Sequence, residues 1–429
     1  PTLDIDMSYI GIDIGTSGIR ACAIDDQANQ IALSTQALPS PQHTGQHIQQ
    51  DAMIWWQTLQ QVLAELFQKI DPSQVRAIAV DGTSGTVLVT DNNGIPLAPA
   101  LMYNDAHCKV EADKIKSIAP AGTAALGTSS GLAKALYLLQ QHPEAQHILH
   151  QADWIAGMLC DQFGFSDENN SLKTGYDPTT DDWPDWIKKT GIDTNLLPEV
   201  VPPGTVITSI SQNLQQQFNL PADVKIIAGT TDSIAAFIAT GASLPGQAVT
   251  SLGSTLVLKI ICEQPVFSAE HGIYSHKLGK YWLAGGASNS GGAVLKHFFS
   301  DEALQDMTSR LHPERLTGLD YYPLLQPGER FPQSDPQLQP QLHPRPADDV
   351  EFFQGMLEGI ARIEQQGYNK LNELGAPIPT QIITAGGGSR NLAWNKIRQN
   401  MLSIPVTTAR HSEASYGCAL LAQQALISG

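Results

Sequence analysis

The chain has 429 residues, enough for two domains of about 200 residues each, and its 42% hydrophobic share fills two ordinary cores. Its net charge of −17 excludes nucleic acid and anionic membranes as partners, because both demand basic surfaces. The five cysteines, Cys22, Cys108, Cys160, Cys262 and Cys418, are scattered and never spaced C-x-x-C, which points to reduced thiols in a cytoplasmic protein rather than a disulfide frame or zinc site.

The residues before Tyr9 are acidic and polar and read as an extension outside the fold, not a signal peptide. No apolar run reaches the ~18 residues that span a bilayer. Strands are predicted near 9–14, 19–24 and 30–36. The first two enclose the turn Gly15-Thr16-Ser17-Gly18, with Asp13 just before it. Such a turn offers backbone N–H groups and two hydroxyls to a phosphate chain. Asp13 suits a magnesium ion, a hard cation that takes oxygen ligands. A nucleoside triphosphate carried with magnesium is the occupant this predicts. The same residues also make a plain hairpin with Asp13 facing solvent. The G-x-G-x-x-G and Walker patterns are absent.

An amphipathic helix follows Asp51, a predicted N-cap, with Trp55, Leu59, Val62, Leu63 and Leu66 at helical spacing. A strand at 76–80 runs into Asp81-Gly82-Thr83-Ser84-Gly85-Thr86, where Asp81 reads as a turn residue. Residues 165–184 are polar, with Asn169, Asn170, Gly175 and Pro178, and read as a loop. Around 248–260 the opening grammar returns, as a strand, then Gly253-Ser254-Thr255, then a strand. Gly253 over Gly15 puts Ser251 over Asp13, so the second copy lacks the carboxylate. The Pro- and Gln-rich stretch 323–346 reads as a second loop. Helices are predicted near 350–374, 391–402 and 413–427. A strand at 381–385 enters Gly386-Gly387-Gly388-Ser389-Arg390-Asn391, an arrangement that brings backbone close to a ligand at a helix N-terminus.

Taken in order, these segments resemble the FGGY carbohydrate kinases of the actin–hexokinase–sugar kinase superfamily. The motifs are Gly11-Ile12-Asp13-Ile14-Gly15-Thr16-Ser17, Tyr103-Asn104-Asp105, Gly229-Thr230-Thr231-Asp232-Ser233 and Leu252-Gly253-Ser254-Thr255. They continue with 323–330, 385–391 and 413–419, the last carrying Gly417 and Cys418. The Asp-Gly-Thr-Ser segment and the chain length look most like the D-ribulose/D-xylulose kinase-like subgroup of bacteria and plants.

The resemblance implies an α/β fold of two ribonuclease-H-like domains with an inter-domain active-site cleft. Residues 9–243 would bind sugar and supply the base, and 244–429 would bind nucleotide. It implies Asp232 as the catalytic base toward a sugar hydroxyl, a role compatible with capping the helix that follows. Asp13 would sit with magnesium beside the substrate. Gly15, Thr16, Ser17, Gly253, Ser254 and Thr255 would hold the phosphates of ATP. Gly387, Gly388 and Asn391 would face the nucleotide, with Trp394 either stacked on adenine or packed in the helix. Ser84 and Asp105 would meet the sugar. Small residues at Thr83-Ser84-Gly85 depart from the glycerol-kinase pattern, which carries a long charged pair there, and Ala106-His107 after Asp105 also depart from the family. The activity implied is ATP-dependent phosphorylation of the terminal hydroxyl of a small ketose, D-ribulose first, with xylulose or another pentulose or polyol next, by a cytoplasmic monomer or homodimer. A nucleotide-binding regulatory protein without turnover is the alternative, and the presence of both Asp13 and Asp232 weighs against it.

Overall fold

A computed structural model of the protein describes residues 7–427. The predicted extension before Tyr9 falls largely outside them, and Ser8 already opens the first strand. Contacts divide the chain into two compact units. One takes in the chain up to Ala239 together with the segment from Glu413 onward, and the other runs Thr240–Ser412.

The first unit is built on a six-stranded sheet. Its strands β1 (Ser8–Ile14), β2 (Gly18–Ile24) and β3 (Gln30–Ala37) form an antiparallel meander. On the other side of β1 lies β4 (Val75–Gly82), parallel to it. The edge strand β5 (Val206–Ser209) is antiparallel to β6 (Lys225–Thr231), which is itself parallel to β4. β1 is buried along its whole length, as a central strand covered on both faces must be. One face, through Ile10, Ile12 and Ile14, shares a core with Trp55, Leu59, Val62 and Leu66 of helix α1 (Ala52–Leu66). The predicted cap is present, with Asp51 Oδ1 accepting from Met53 N at 2.9 Å. β6 runs directly into helix α2 (Asp232–Ala239).

The second unit repeats this plan. Strands β7 (Gln247–Leu252) and β8 (Leu256–Cys262) make the second hairpin. β9 (His276–Leu278) and β10 (Tyr281–Ser288) extend it antiparallel, while β11 (Gln381–Ala385) and β12 (Val406–Thr408) lie parallel on the other side of β7. In both units a three-strand meander is followed by strands parallel to its first member. This is the ribonuclease-H-like pattern that the resemblance implies, present twice. Helices α3 (Asp349–Glu373) and α4 (Leu392–Leu402) pack on this sheet within a few residues of their predicted limits.

The chain then crosses back to the first unit as α5 (Ala414–Ile427). The sequence reading placed this helix in the second domain. It lies instead on the face of β1 opposite α1, where Tyr9, Cys22 and Ala79 share a core with Tyr416, Cys418 and Ala419. Gly11 and Gly417 make the packing possible. A Cβ at Gly11 would collide with the Ser415 carbonyl, and one at Gly417 with the Ala235 carbonyl.

The polar stretch read as a loop at 165–184 is folded and buried in its first half. Phe165–Asp167 is a strand, Glu168–Ser171 a helical turn and Leu172–Thr174 a 3-10 turn. Asp167 caps it, accepting from Asn169 N at 2.8 Å and Asn170 Nδ2 at 2.6 Å. Burial, reinforced by the Asp153 carboxylate, raises the Asp167 carboxyl to about 7. The stretch 323–346 contains no regular strand or helix, as predicted. No helix among the described residues is long and apolar enough to cross a membrane.

Candidate active site

At the ends of β1, β4 and β6 the first sheet gathers three carboxylates. Asp13 and Asp81 are register partners on neighbouring parallel strands, so their side chains share a face. A register shift between Ile227 and Thr230 brings Thr230 opposite Asp81 and Thr231 opposite Gly82. Asp232 follows at once as the first residue of α2. Bulges of this kind commonly re-aim a strand end toward a site. Asn169 Nδ2 donates to Thr230 Oγ1 at 3.1 Å, tying the buried polar stretch to this strand end.

The three acids sit in different surroundings. Asp13 is 7% exposed, and its Oδ2 accepts from Arg20 Nη1 at 3.1 Å. Asp232 is half-buried and its Oδ1 accepts from Ser233 N at 2.7 Å. It thus places charge at a helix N-terminus, where the helix dipole favours an anion. Asp81 is fully buried, and neither of its oxygens is in hydrogen-bonding geometry with a donor. Burial, then the Asp13 carboxylate, then Asp232 push the Asp81 carboxyl well above its ordinary range. The Cys418 thiol of α5 stands close enough to favour the charged form of Asp81, and is itself driven upward by burial and by that carboxyl. Asp81, read from sequence as a turn residue, is therefore a member of the acidic site. Beside it the turn Gly15-Thr16-Ser17 is closed by Gly15 N donating to Gly18 O at 3.0 Å, with Thr16 half-buried and Ser17 exposed.

The segments singled out for sugar are joined around Lys134, which the sequence reading missed. This lysine lies on the helix Gly131–Gln141 and is fully buried. Its Nζ donates to the Gly85 carbonyl at 2.8 Å and the Tyr103 carbonyl at 3.1 Å, and Tyr103 N donates to Thr86 Oγ1 at 2.9 Å. Burial pulls the Lys134 ammonium down to about 8. Ser84 Oγ is buried without a hydrogen-bond partner, as expected of a group reserved for a ligand. Asp105 is used differently from the expectation. Its Oδ2 accepts from Ile48 N at 2.7 Å and sits 3.0 Å from His47 Nδ1, while its Oδ1 accepts from His107 N at 3.2 Å. Fully buried, it ties its own turn to the strand His47–Gln50.

In the second unit the turn after β7 is braced from behind. Gly292 N donates to the Gly253 carbonyl at 2.9 Å and Ala293 N to the Ser254 carbonyl at 3.1 Å. Ser254 is exposed and Thr255 half-buried. Glu329, from the loop 323–346, holds the strand that leads into this brace. It accepts from Ser288 Oγ at 2.6 Å, Asn289 N at 2.8 Å and Tyr322 Oη at 2.9 Å.

The three glycines after β11 divide by role. Gly386 has φ +80° and a Cβ there would stand 2.8 Å from Leu252 O, while one at Gly388 would meet Leu252 and Trp394. Gly387 alone opens on empty space. We expect Gly387→Val to fold normally and to raise the KM for ATP far more than that for sugar. Unchanged ATP dependence in steady-state kinetics would remove Gly387 from the nucleotide site.

Two other residues of this segment have structural roles. Of the two readings of Trp394, the structure shows packing in the helix. It is 3% exposed within the core of the second unit, and its Nε1 donates to the Leu357 carbonyl at 3.1 Å. Asn391 spends its side chain on the cap of α4, with Oδ1 accepting from Trp394 N at 2.9 Å.

Comparison with known proteins identifies the family. The model of the N-terminal domain of the FGGY family of carbohydrate kinases matches residues 8–239, and that of the C-terminal domain matches 248–426. The chain is 24% identical over 442 aligned positions to a xylulose kinase of Staphylococcus epidermidis, covering 97% of this chain and 88% of that one. A crystal structure of a xyloylose kinase from Brucella ovis superposes with a TM-score of 0.88 at 22% identity, covering 98% of this chain and 91% of that one. The ADP-bound glycerol kinase of Plasmodium falciparum gives 0.86 at 17% identity, covering 99% and 90%. With both halves of the family matched in order over nearly the whole chain, the protein belongs to the FGGY family of carbohydrate kinases and is a sugar kinase that uses ATP as phosphate donor.

Proposed function

We propose that the protein transfers the γ-phosphoryl group of ATP, carried with magnesium, to the terminal hydroxyl of a small ketose. The first choice is D-ribulose. The similarity to xylulose kinases favours xylulose as the second choice, ahead of other pentuloses and polyols. The observation that carries the reading is the bulge in β6, which delivers Asp232 to the strand end occupied by Asp81, itself in register with Asp13.

In this reading Asp232 accepts the proton of the attacking hydroxyl and orients it in line with the phosphorus. The Ser233 N–H and the start of α2 hold its carboxylate in place. Thr16 and Ser17 supply hydroxyl and N–H donors to phosphate oxygens. Ser84 Oγ gives a sugar hydroxyl its hydrogen-bond partner, and Lys134 keeps the Gly85 and Tyr103 segments in place around it. The donor set fits magnesium, since Asp13 and Asp81 are hard oxygen ligands and both oxygens of Asp81 are unspent. When bound, that ion neutralises charge on the transferring phosphoryl group.

A panel of pentuloses and pentitols in a coupled ATP-consumption assay tests the proposal. The highest kcat/KM should fall on a pentulose. Turnover confined to hexoses or glycerol would refute the assignment.

A further inference from the structure

The same acidic edge carries a feature that phosphoryl transfer alone does not require. Asp81 is wholly buried and both its carboxylate oxygens lack hydrogen-bond partners. Burying such a group without a partner is costly, and buried polar groups left unsatisfied in native proteins are rare. The fold itself does not demand it. In the repeated sheet the position paired with β7 as Asp81 is with β1 is Ala385, opposite Ser251. The cross-strand position matching Arg20 is Val257. The trio Asp13, Arg20 and Asp81 thus occurs in one copy of the sheet only, where Asp232 is also found.

We propose that Asp81 and Asp13 together form a preformed divalent-cation site that loads magnesium before nucleotide arrives, with Asp81 as a direct ligand alongside Asp13. This rests on the assignment of magnesium to Asp13 above. Two carboxylates on adjacent parallel strands, facing the same way, present oxygens to one point, the arrangement a hard cation needs. Arg20 is bound to a single oxygen of Asp13 and leaves the other free of that pairing. Among the described residues the groups that act on Asp81 are Asp13, Asp232 and the Cys418 thiol, none of them a cation, and a bound ion would supply the countercharge its buried carboxylate lacks.

The test is cation binding by the nucleotide-free protein. Free Mn2+ is followed by electron paramagnetic resonance during titration, with Mg2+ as competitor. Wild type should bind one Mn2+ ion that Mg2+ displaces. Asp81→Asn should weaken that binding by roughly 10–100-fold, the range seen when groups that support a metal are removed, and Asp13→Asn should weaken it as well.

Thermal unfolding gives a second readout. Removing an unpartnered buried carboxylate should leave the cation-free Asp81→Asn and Asp81→Ser proteins at least as stable as wild type. The rise in Tm that Mg2+ gives wild type should be lost in both. Wild-type Mn2+ affinity in Asp81→Asn, failure of wild type to bind Mn2+ without nucleotide, or loss of cation-free stability in both variants would each overturn the proposal. A protein that binds Mn2+ through Asp81 yet phosphorylates no pentulose would leave this inference standing and remove the substrate assignment instead.

Discussion

Asp232→Asn should lower phosphoryl transfer to the best sugar by the ~10²–10⁴-fold typical of a lost general base, with little change in stability or ATP binding. The amide can still accept the Ser233 N–H that the carboxylate accepts now. It cannot take a proton from a sugar hydroxyl. The helix-start role therefore survives the change and the proton-accepting role does not. Single-turnover kinetics with radiolabelled ATP, alongside thermal unfolding, separates the two. Near-normal turnover in a stable variant would reduce Asp232 to a structural residue. A collapse of stability would show that the helix start, not the chemistry, requires the charge.

The second large effect is expected in the core of the second unit. Glu364 on α3 and Arg398 on α4 are both fully buried and meet in a two-pronged pair, Nε to Oε2 and Nη2 to Oε1, each at 2.7 Å. Thr250 of β7 donates to Glu364 Oε1 at 2.6 Å, and Arg398 Nη1 donates to Thr384 of β11 at 2.7 Å. The network therefore clamps the two strands just before Gly253 and Gly386. Glu364→Ala strands the guanidinium in the core and should cost about 3–5 kcal/mol. Replacing both partners with apolar residues of similar volume, Glu364→Leu with Arg398→Met, should cost much less, because no uncompensated charge remains. Urea denaturation of the single and double variants measures this. Equal losses in both would mean that shape, not charge pairing, governs the site.

Much of this architecture was legible in the sequence for a physical reason. The hairpins at Gly15 and Gly253 carry their own turn chemistry, and α1 and α3 carry a strong 3.6-residue apolar period. Local patterns of that kind survive into the fold. The errors arose where long-range packing decides. Nothing within 414–427 states which sheet the helix covers, although Gly11 and Gly417 are paired notches for it once the structure is known. The polar run Ser166–Ser171 looked like a loop because its side chains bond within the interior, as Asn170 does to Asp167.

The candidate site was half legible. Asp13 and Asp232 came from motifs and lie at the same end of the first sheet. Asp81 was passed over because a carboxylate before Gly-Thr-Ser is also good turn chemistry, and only its parallel pairing with Asp13 reveals its place. Trp394 was open between base stacking and helix packing, and the structure buries it in the core, while Asp105, singled out with its motif, accepts from three protein donors. Lys134 gave no sequence signal at all, since a lysine on an amphipathic helix is ordinarily solvated.

The central claim is transfer of phosphate to the terminal carbon of a pentulose, and phosphorus NMR of the product tests it most directly. With D-ribulose or xylulose, ATP and magnesium, a phosphomonoester signal split by two methylene protons should grow in step with ADP, and it should be absent with Asp232→Asn on the same timescale. ADP accompanied only by inorganic phosphate, or an ester attached to a carbon bearing a single proton, would contradict the account.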